Sequence, residues 1–354
     1  MPPPPIHILG LGNLGKLLAH SLRKYHPELP ITLLFHRPSL AEEWERAGRC
    51  IEIVRNGKSD KQGGFAWENV RKEKSEIKNL LVATKTYGTA QAVTPLKERL
   101  GKESTLLFIQ NGMGTIDEVT SQVFTSPSTR PNYLAGVVSH GVYATSQFSS
   151  VHAGLANAVI GPVVTDSHNQ TSIISGSPSS YMAQKIVGCP VLSTSLLSSQ
   201  DLLHAQLTKL TINATNNPLT VLFDCINGAL LQSPRICTLI DRIISEVSAV
   251  IHAMLSNPPQ GPMPVDPGLV HTLFSPESLR KTVHEVITIN ANNISSMRQD
   301  VLAGRKTEID YINGWIVKKG QSLGVTCPIN KRVVQLVKEG RKLNDTQIDE
   351  AFNM

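Results

Sequence analysis

Ile6-His7-Ile8-Leu9-Gly10-Leu11-Gly12-Asn13-Leu14-Gly15 decides how the first half of this chain is read. A short apolar run enters a G-x-G-x-x-G segment. Beyond it Leu14, Leu17, Leu18 and Leu22 recur at helical spacing. A second apolar run, Ile31 to Phe35, follows. Strand, glycine turn, helix, strand is the opening of a doubly wound α/β domain with a mainly parallel sheet. In that context each glycine has a physical task. The first permits the tight turn, the second lets backbone approach a pyrophosphate, and the third lets helix and strand pack closely. Gly10, Leu11, Gly12, Asn13, Leu14 and Gly15 are therefore candidate dinucleotide-binding residues, the start of the helix facing the phosphate charge.

The end of the second run, Phe35-His36-Arg37-Pro38, bears on which dinucleotide is bound. An acid there would hold a ribose 2′-hydroxyl, but the first acid is Glu42. Arg37, with no neighbouring carboxylate, suits a 2′-phosphate and so NADPH; the alternative is a solvated loop arginine. Leu80-Leu81-Val82-Ala83 and Thr105 to Ile109 read as further buried strands. Lys85 and Asn111-Gly112 follow their carboxyl ends, where ligands of open α/β sheets bind. Ala135 to Val138 and Ala158 to Ile160 add later strands, and the Ser-rich stretch 166–180 reads as a surface insertion. From about Ser198 helical patterns dominate, over 198–231, 235–255, 276–303 and 307–323, with the coil Ser256 to Pro264 between two of them. The expected organisation is an α/β domain over 1–195 and an all-α domain over 196–354.

Composition narrows the function classes. A chain of 354 residues, 40% hydrophobic and 18% charged, is globular and long enough for two domains. The net charge of +6 suits anionic ligands, but the basic residues are scattered and aromatics make up only 5%, which argues against nucleic acid. Five cysteines without a CxxC pair argue against a disulfide framework or a cysteine zinc site. No run of about 18 apolar residues is present to span a membrane. The proline-rich start resembles neither a signal nor a transit peptide, so the expected location is cytoplasmic, with mitochondria as the alternative. HExxH, GxSxG and GxxxxGK[ST] are absent, which leaves hydrolase and NTPase readings without support.

Two polar sets stand out in the second half. Lys209, Asn213 and Asn217 lie at i, i+4 and i+8, on one face of a helix that Pro218 is expected to kink or end. They are either functional or a polar surface stripe. Asn293, Ser296 and Asp300 have a similar spacing. Thr307 and Asp310 fit a helix-starting cap, and a structural role is expected for Asp300 and Asp310.

Together these segments resemble the ketopantoate reductase family. The most specific are Gln110-Asn111-Gly112-Met113-Gly114, Lys209 with Asn213 to Thr220, Ser295 to Asp300, and Thr307 to Gly314. The resemblance runs from the glycine loop to Cys327-Pro328. It implies an N-terminal Rossmann domain, a helical C-terminal domain and an active site in the cleft between them. It also implies NADPH-dependent reduction of ketopantoate in pantothenate and coenzyme A biosynthesis, by a monomer or homodimer. The lysine matching Lys209 would be the proton donor. Asn213, Asn217, Asn227, Asn293 and Ser296 match substrate-holding positions. Lys85, Asn111 and Glu308 match positions around the cofactor and the reacting carbonyl, and Val142 matches a backbone contact to the cofactor. Chemically, a lysine ammonium stabilises the charge that hydride transfer leaves on a carbonyl oxygen, and a carboxylate such as Glu308 would hold it charged. Two other readings stay open: a different NADP-dependent 2-oxo or hydroxy acid dehydrogenase, and a non-catalytic regulatory protein derived from a reductase fold.

Overall fold

A computed structural model describes residues 3–163, 178–256 and 267–353. The chain forms two compact units, one of residues 1–110 and 115–202, the other of 111–114 and 203–354. The division thus falls at Leu202/Leu203 rather than near 195, and a four-residue turn from the α/β half counts with the helical half.

The strands of the first unit, among the described residues, are β1 (Ile6–Leu9), β2 (Ile31–Phe35), β3 (Ile51–Arg55), β4 (Lys58–Gln62), β5 (Ala66–Asn69) and β6 (Asn79–Val82). They continue with β7 (Thr105–Phe108), β8 (Asn132–Val138), β9 (Gly141–Ser146), β10 (Ser149–Gly154), β11 (Ala158–Pro162) and β12 (Thr194–Leu196). Its helices are α1 (Asn13–Tyr25), α2 (Ser39–Arg46), α3 (Thr89–Val93), α4 (Thr115–Gln122) and α5 (Pro178–Val187). Eight strands form one sheet in the order β12-β11-β8-β7-β6-β1-β2-β5. From β5 to β8 every neighbouring pair is parallel, and β11 runs antiparallel to β8. The central strands β1, β6 and β7 are buried along their whole length, as strands covered on both faces must be. Alternation divides their side chains between two cores. Ile6, Ile8, Leu81 and Leu107 pack on the side of Leu17 and Leu22 of α1, while Leu9, Leu80, Val82, Leu106 and Phe108 pack on the side of Val93 and Val119.

A second sheet, β4-β3-β10-β9, was not legible in the sequence. Lys58-Ser59-Asp60-Lys61-Gln62 of β4 has no apolar residue, and β9 is largely exposed, so neither carries an alternating pattern. Ile51 and Ile53 of β3 bury this sheet against the aromatic group of Trp44, Phe65 and Phe148, with the ring of Trp44 4.9 Å from that of Phe148 and 6.1 Å from that of Phe65.

The second unit contains α6 (Ser199–Leu222) beyond its first turn, α7 (Pro234–Ser256), α8 (Pro267–Leu273), α9 (Pro276–Ile289), α10 (Ser296–Leu302), α11 (Asn313–Ser322), α12 (Pro328–Lys338) and α13 (Ile348–Phe352). Its core joins Leu207, Leu210 and Ala214 of α6 to Ile240, Ile243 and Val247 of α7, Val283 and Ile287 of α9, and Ile316 and Val333. The helices expected over 198–231 and 276–303 are each broken. A turn at 223–226 leads to a 3₁₀ segment Asn227–Gln232, and a non-helical stretch separates α9 from α10. Residues 164–177, most of the Ser-rich stretch, and 257–266, most of the expected coil, lie outside the described residues. No described helix is long and apolar enough to cross a membrane.

Candidate active site

In the first unit the glycine turn sits where the strand order switches direction. β2 lies on one side of β1 and β6 on the other, which opens a crevice at the carboxyl ends of β1 and β6. Gly10 has φ +95°, and a Cβ there would lie 2.7 Å from the Ala83 carbonyl carbon. A Cβ on Gly15 would lie 2.0 Å from the Gly10 oxygen, so α1 starts pressed against the strand end. Gly12 is different: its nearest neighbour would be 3.9 Å away, so nothing in the protein excludes a side chain there. The space beside Gly12 and the first turn of α1, which has no side-chain cap and no acid, fits a phosphate-bearing ligand. Asn13 fixes the turn from behind, donating through Nδ2 to the Val142 carbonyl at 3.1 Å. Lys85 follows β6, partly buried, at the head of a 3₁₀ turn.

Arg37 is exposed beyond β2, but it does not lack a neighbouring carboxylate. Both its terminal nitrogens donate to Glu43, at 2.9 and 3.3 Å. The expectation failed because α2 begins at Ser39 and its second turn brings Glu43 back to the strand end. Any 2′-phosphate on Arg37 would share the guanidinium with that acid.

Asn111 belongs to the turn counted with the helical unit. Met113 N–H donates to the Tyr311 carbonyl at 2.8 Å. A Cβ on Gly112 (φ +76°) would lie 2.2 Å from the Tyr311 oxygen, and one on Gly114 (φ +93°) 2.9 Å from the Trp315 ring. The two glycines of Gln110-Asn111-Gly112-Met113-Gly114 are therefore required by contact with the chain ahead of and within α11. Glu308 is buried at the start of the 3₁₀ turn Ile309–Tyr311.

Helix α6 carries the main polar face of the second unit. It continues through Pro218 to Leu222, so Pro218 does not end the helix. Proline lacks the N–H that would bond the carbonyl four residues back, that of Ala214. Asn313 supplies the missing donor: its Nδ2 lies 2.8 Å from the Ala214 oxygen. The same Nδ2 bonds Asn330 Oδ1 at 2.9 Å, and Asn330 Nδ2 bonds Glu246 at 2.7 Å. Glu246 also accepts the N–H groups of Ile329 and Asn330 at the start of α12, at 2.8 and 2.9 Å. A buried relay thus supplies the donor that the α6 backbone lacks at the Ala214 carbonyl.

On that helix Lys209 is partly buried, and burial lowers its ammonium pKa from the ordinary lysine value. No carboxylate is paired with it among the described residues, so the expected Glu308 counter-ion is not found there. Asn213 is buried, and among the described residues nothing accepts from its Nδ2. Asn217 is buried, with its Oδ1 accepting from Asn216 Nδ2 at 3.4 Å. Asn216 was missed at the sequence level although seven residues bring an α-helix back to within about 20° of the same direction, closer to Lys209 than Asn217 is. Its Nδ2 also donates to Asn227 Oδ1 at 3.1 Å, and its buried Oδ1 has no partner.

Asn227 is spent on the frame. Its Nδ2 donates to the Asn290 carbonyl at 3.1 Å and its N–H to the Asn293 carbonyl at 3.1 Å. Asn293 and Ser296 do not share a helix face: Asn293 lies in the break before α10 and Ser296 is the first helical residue, both exposed. The cap of α10 is Ser295, which also meets Thr220 at 2.6 Å. No cap forms at Thr307–Asp310; Asp310 instead pairs with Lys338 at 2.6 Å and Asp300 with Arg305 at 2.9 Å, in structural roles.

The ketopantoate reductase PanE/ApbA profile matches residues 6–164 and its C-terminal counterpart residues 201–341. A 2-dehydropantoate 2-reductase of Saccharomyces cerevisiae is 30% identical, with 96% of this chain and 95% of the relative covered. A ketoisovalerate reductase of Beauveria bassiana is 28% identical, covering 94% of this chain and 82% of that protein. Among solved structures, D-mandelate dehydrogenase with NADH and anilino(oxo)acetate has the same fold at 18% identity, with a TM-score of 0.71 over 98% of this chain and 99% of that one. Read with the glycine turn and the α6 face, these matches make the chain an oxidoreductase of the ketopantoate reductase PanE/ApbA family.

Proposed function

We propose that this protein reduces ketopantoate to pantoate with NADPH, the reaction of pantothenate synthesis. The observation that carries the reading is the α6 face, where burial lowers the pKa of Lys209 and, among the described residues, nothing accepts from the buried Asn213 Nδ2. A 2-oxo acid is rich in acceptors, with a carboxylate and a ketone side by side. A nicotinamide dinucleotide whose pyrophosphate is held at the Gly10–Gly15 turn would supply the hydride. Lys209 donates to the ketone oxygen and then releases its proton to the alkoxide. Burial assists that release by disfavouring the charged amine. Asn213 and Asn217 orient the acid, with Asn111, Asn293 and Ser296 as further candidate contacts and Asn227 as a support. Lys85 and Arg37 are the candidate cations for the cofactor phosphates. Val142 serves through the strand that receives Asn13. Glu308 keeps a proposed place beside the reacting group, but not the task of pairing with Lys209.

The ketoisovalerate reductase relatives favour a second reading, reduction of that shorter 2-oxo acid. Oxidation of NADPH and NADH, followed side by side over ketopantoate, ketoisovalerate and phenylglyoxylate, separates the two. Lys209→Ala should lower kcat by about 10²–10⁴ while NADPH still binds. An unchanged kcat would remove Lys209 from the mechanism.

A further inference from the structure

The α6 face holds one buried group that the reduction does not use. Asn216 is 8% exposed, and its two ends are distinguishable by their partners. Nδ2 donates to Asn217 Oδ1 and Asn227 Oδ1, at 3.4 and 3.1 Å, so Oδ1 is the end turned away from both. Among the described residues nothing donates to that oxygen, and solvent does not reach it. An amide oxygen left so costs about 1–3 kcal/mol, unlike a leucine or alanine in its place. On the same helix face lie the Lys209 ammonium and the Asn213 Nδ2, a buried donor that lacks an acceptor among the described residues. The face therefore asks for a ligand with acceptors at one end and a hydroxyl donor at the other.

The geometry points to Asn216 as a specificity-determining residue whose Oδ1 accepts the hydroxyl of a hydroxylated 2-oxo acid. This rests on the reductase reading above and deepens it. Ketopantoate carries such a hydroxyl on the second carbon beyond its ketone, and ketoisovalerate has none. With the hydroxylated acid bound, the acceptor is satisfied; with the shorter one it stays buried and unpaired. Asn216 Nδ2 has a separate, positioning effect. By engaging the oxygen of Asn217 it turns the Asn217 amide so that Nδ2 is the group left to donate.

The test is the ratio of kcat/KM for ketopantoate to that for ketoisovalerate, measured with NADPH on the full chain. The wild-type protein should favour ketopantoate by about tenfold or more. Asn216→Leu should reduce that ratio by about tenfold or more, whatever loss both substrates share. Asn216→Asp keeps an acceptor oxygen but loses the donors to Asn217 and Asn227. It should lower both kcat/KM values together and leave the ratio within about threefold of wild type. A ratio unmoved by Asn216→Leu overturns the assignment and leaves the ketopantoate reading standing, whereas a wild type that prefers ketoisovalerate overturns the assignment together with that reading. A wild type that reduces neither acid overturns both. Product inhibition needs no variant: pantoate should inhibit the wild-type protein at concentrations about tenfold below 2-hydroxyisovalerate, and equal inhibition refutes the role of Asn216.

Discussion

Asn313→Leu tests whether a side chain replaces the backbone donor that Pro218 withholds from the Ala214 carbonyl. Asn313 is fully buried, and its single donor group serves two acceptors, the Ala214 carbonyl and Asn330 Oδ1. Leucine fills a similar volume and donates to neither. Each stranded acceptor costs about 1–3 kcal/mol, so the loss is about 2–6 kcal/mol against a typical stability of about 5–15. For a unit of this size that is a fall in Tm of roughly 4–24 °C. The specific part of the argument lies in a second substitution. Pro218→Ala restores the backbone N–H that would bond the Ala214 carbonyl, making Asn313 redundant there. Pro218→Ala should therefore recover about 1–3 kcal/mol more in the Asn313→Leu background than it contributes in the wild type. Thermal unfolding of the four proteins by circular dichroism gives the cycle. Activity gives a parallel readout, since Lys209 and Asn213 precede the restored bond on the same helix. If Pro218→Ala shifts Tm equally in both backgrounds, Asn313 is not standing in for the missing N–H.

Gly10 and Gly12 should respond oppositely to alanine. Gly10→Ala drives a Cβ to 2.7 Å from the backbone at Ala83 and should lower Tm by several degrees, whereas Gly12→Ala meets nothing in the protein and should leave Tm unchanged. NADPH titration should then show Gly12→Ala weakened by about tenfold or more, because the methyl occupies the space a pyrophosphate needs; undiminished binding would move the cofactor elsewhere. Acid should destabilise the first unit early. Burial lowers the pKa of His7, His20 and His152 from 6.5 to about 4. Between those values the unfolded chain binds protons that the folded one refuses. The stability these residues contribute is thus complete above pH 6.5 and is lost as pH falls toward 4. Tm should drop steeply from pH 7 to 5, and His152→Gln should flatten the slope; a level profile would contradict the burial of these rings.

The α/β core was legible because its strands are short, apolar and bounded by residues of strong conformational preference. β1 and β2 fall where the sequence puts them, and β6 and β7 within one residue. The second sheet was not, because β4 carries no apolar residue and β9 is largely exposed, which leaves Ile51 and Ile53 of β3 and the rings of α2 and the loops to bury it. Arg37 shows the same limit on a smaller scale. Six positions along the chain separate it from Glu43, and only the start of α2 at Ser39 makes the two adjacent.

The polar face of α6 was half legible, and the missing half is informative. Counting in steps of four finds Lys209, Asn213 and Asn217, but each step of four drifts about 40° around the helix. By the third residue the count has turned about 80°, while the residue before it, Asn216, sits almost in line with Lys209. A proline directly after this set argues for a helix end, and only a side chain from α11 removes that objection. The asparagines therefore divide by what their amides already bond. Asn227 is committed to the backbone of Asn290, whereas Asn213 and Asn216 each keep one buried atom unmatched, a donor and an acceptor. Burial of unmatched polar atoms disfavours the empty protein. A face that keeps both kinds is selective for a ligand that brings both, and it penalises one that brings acceptors alone.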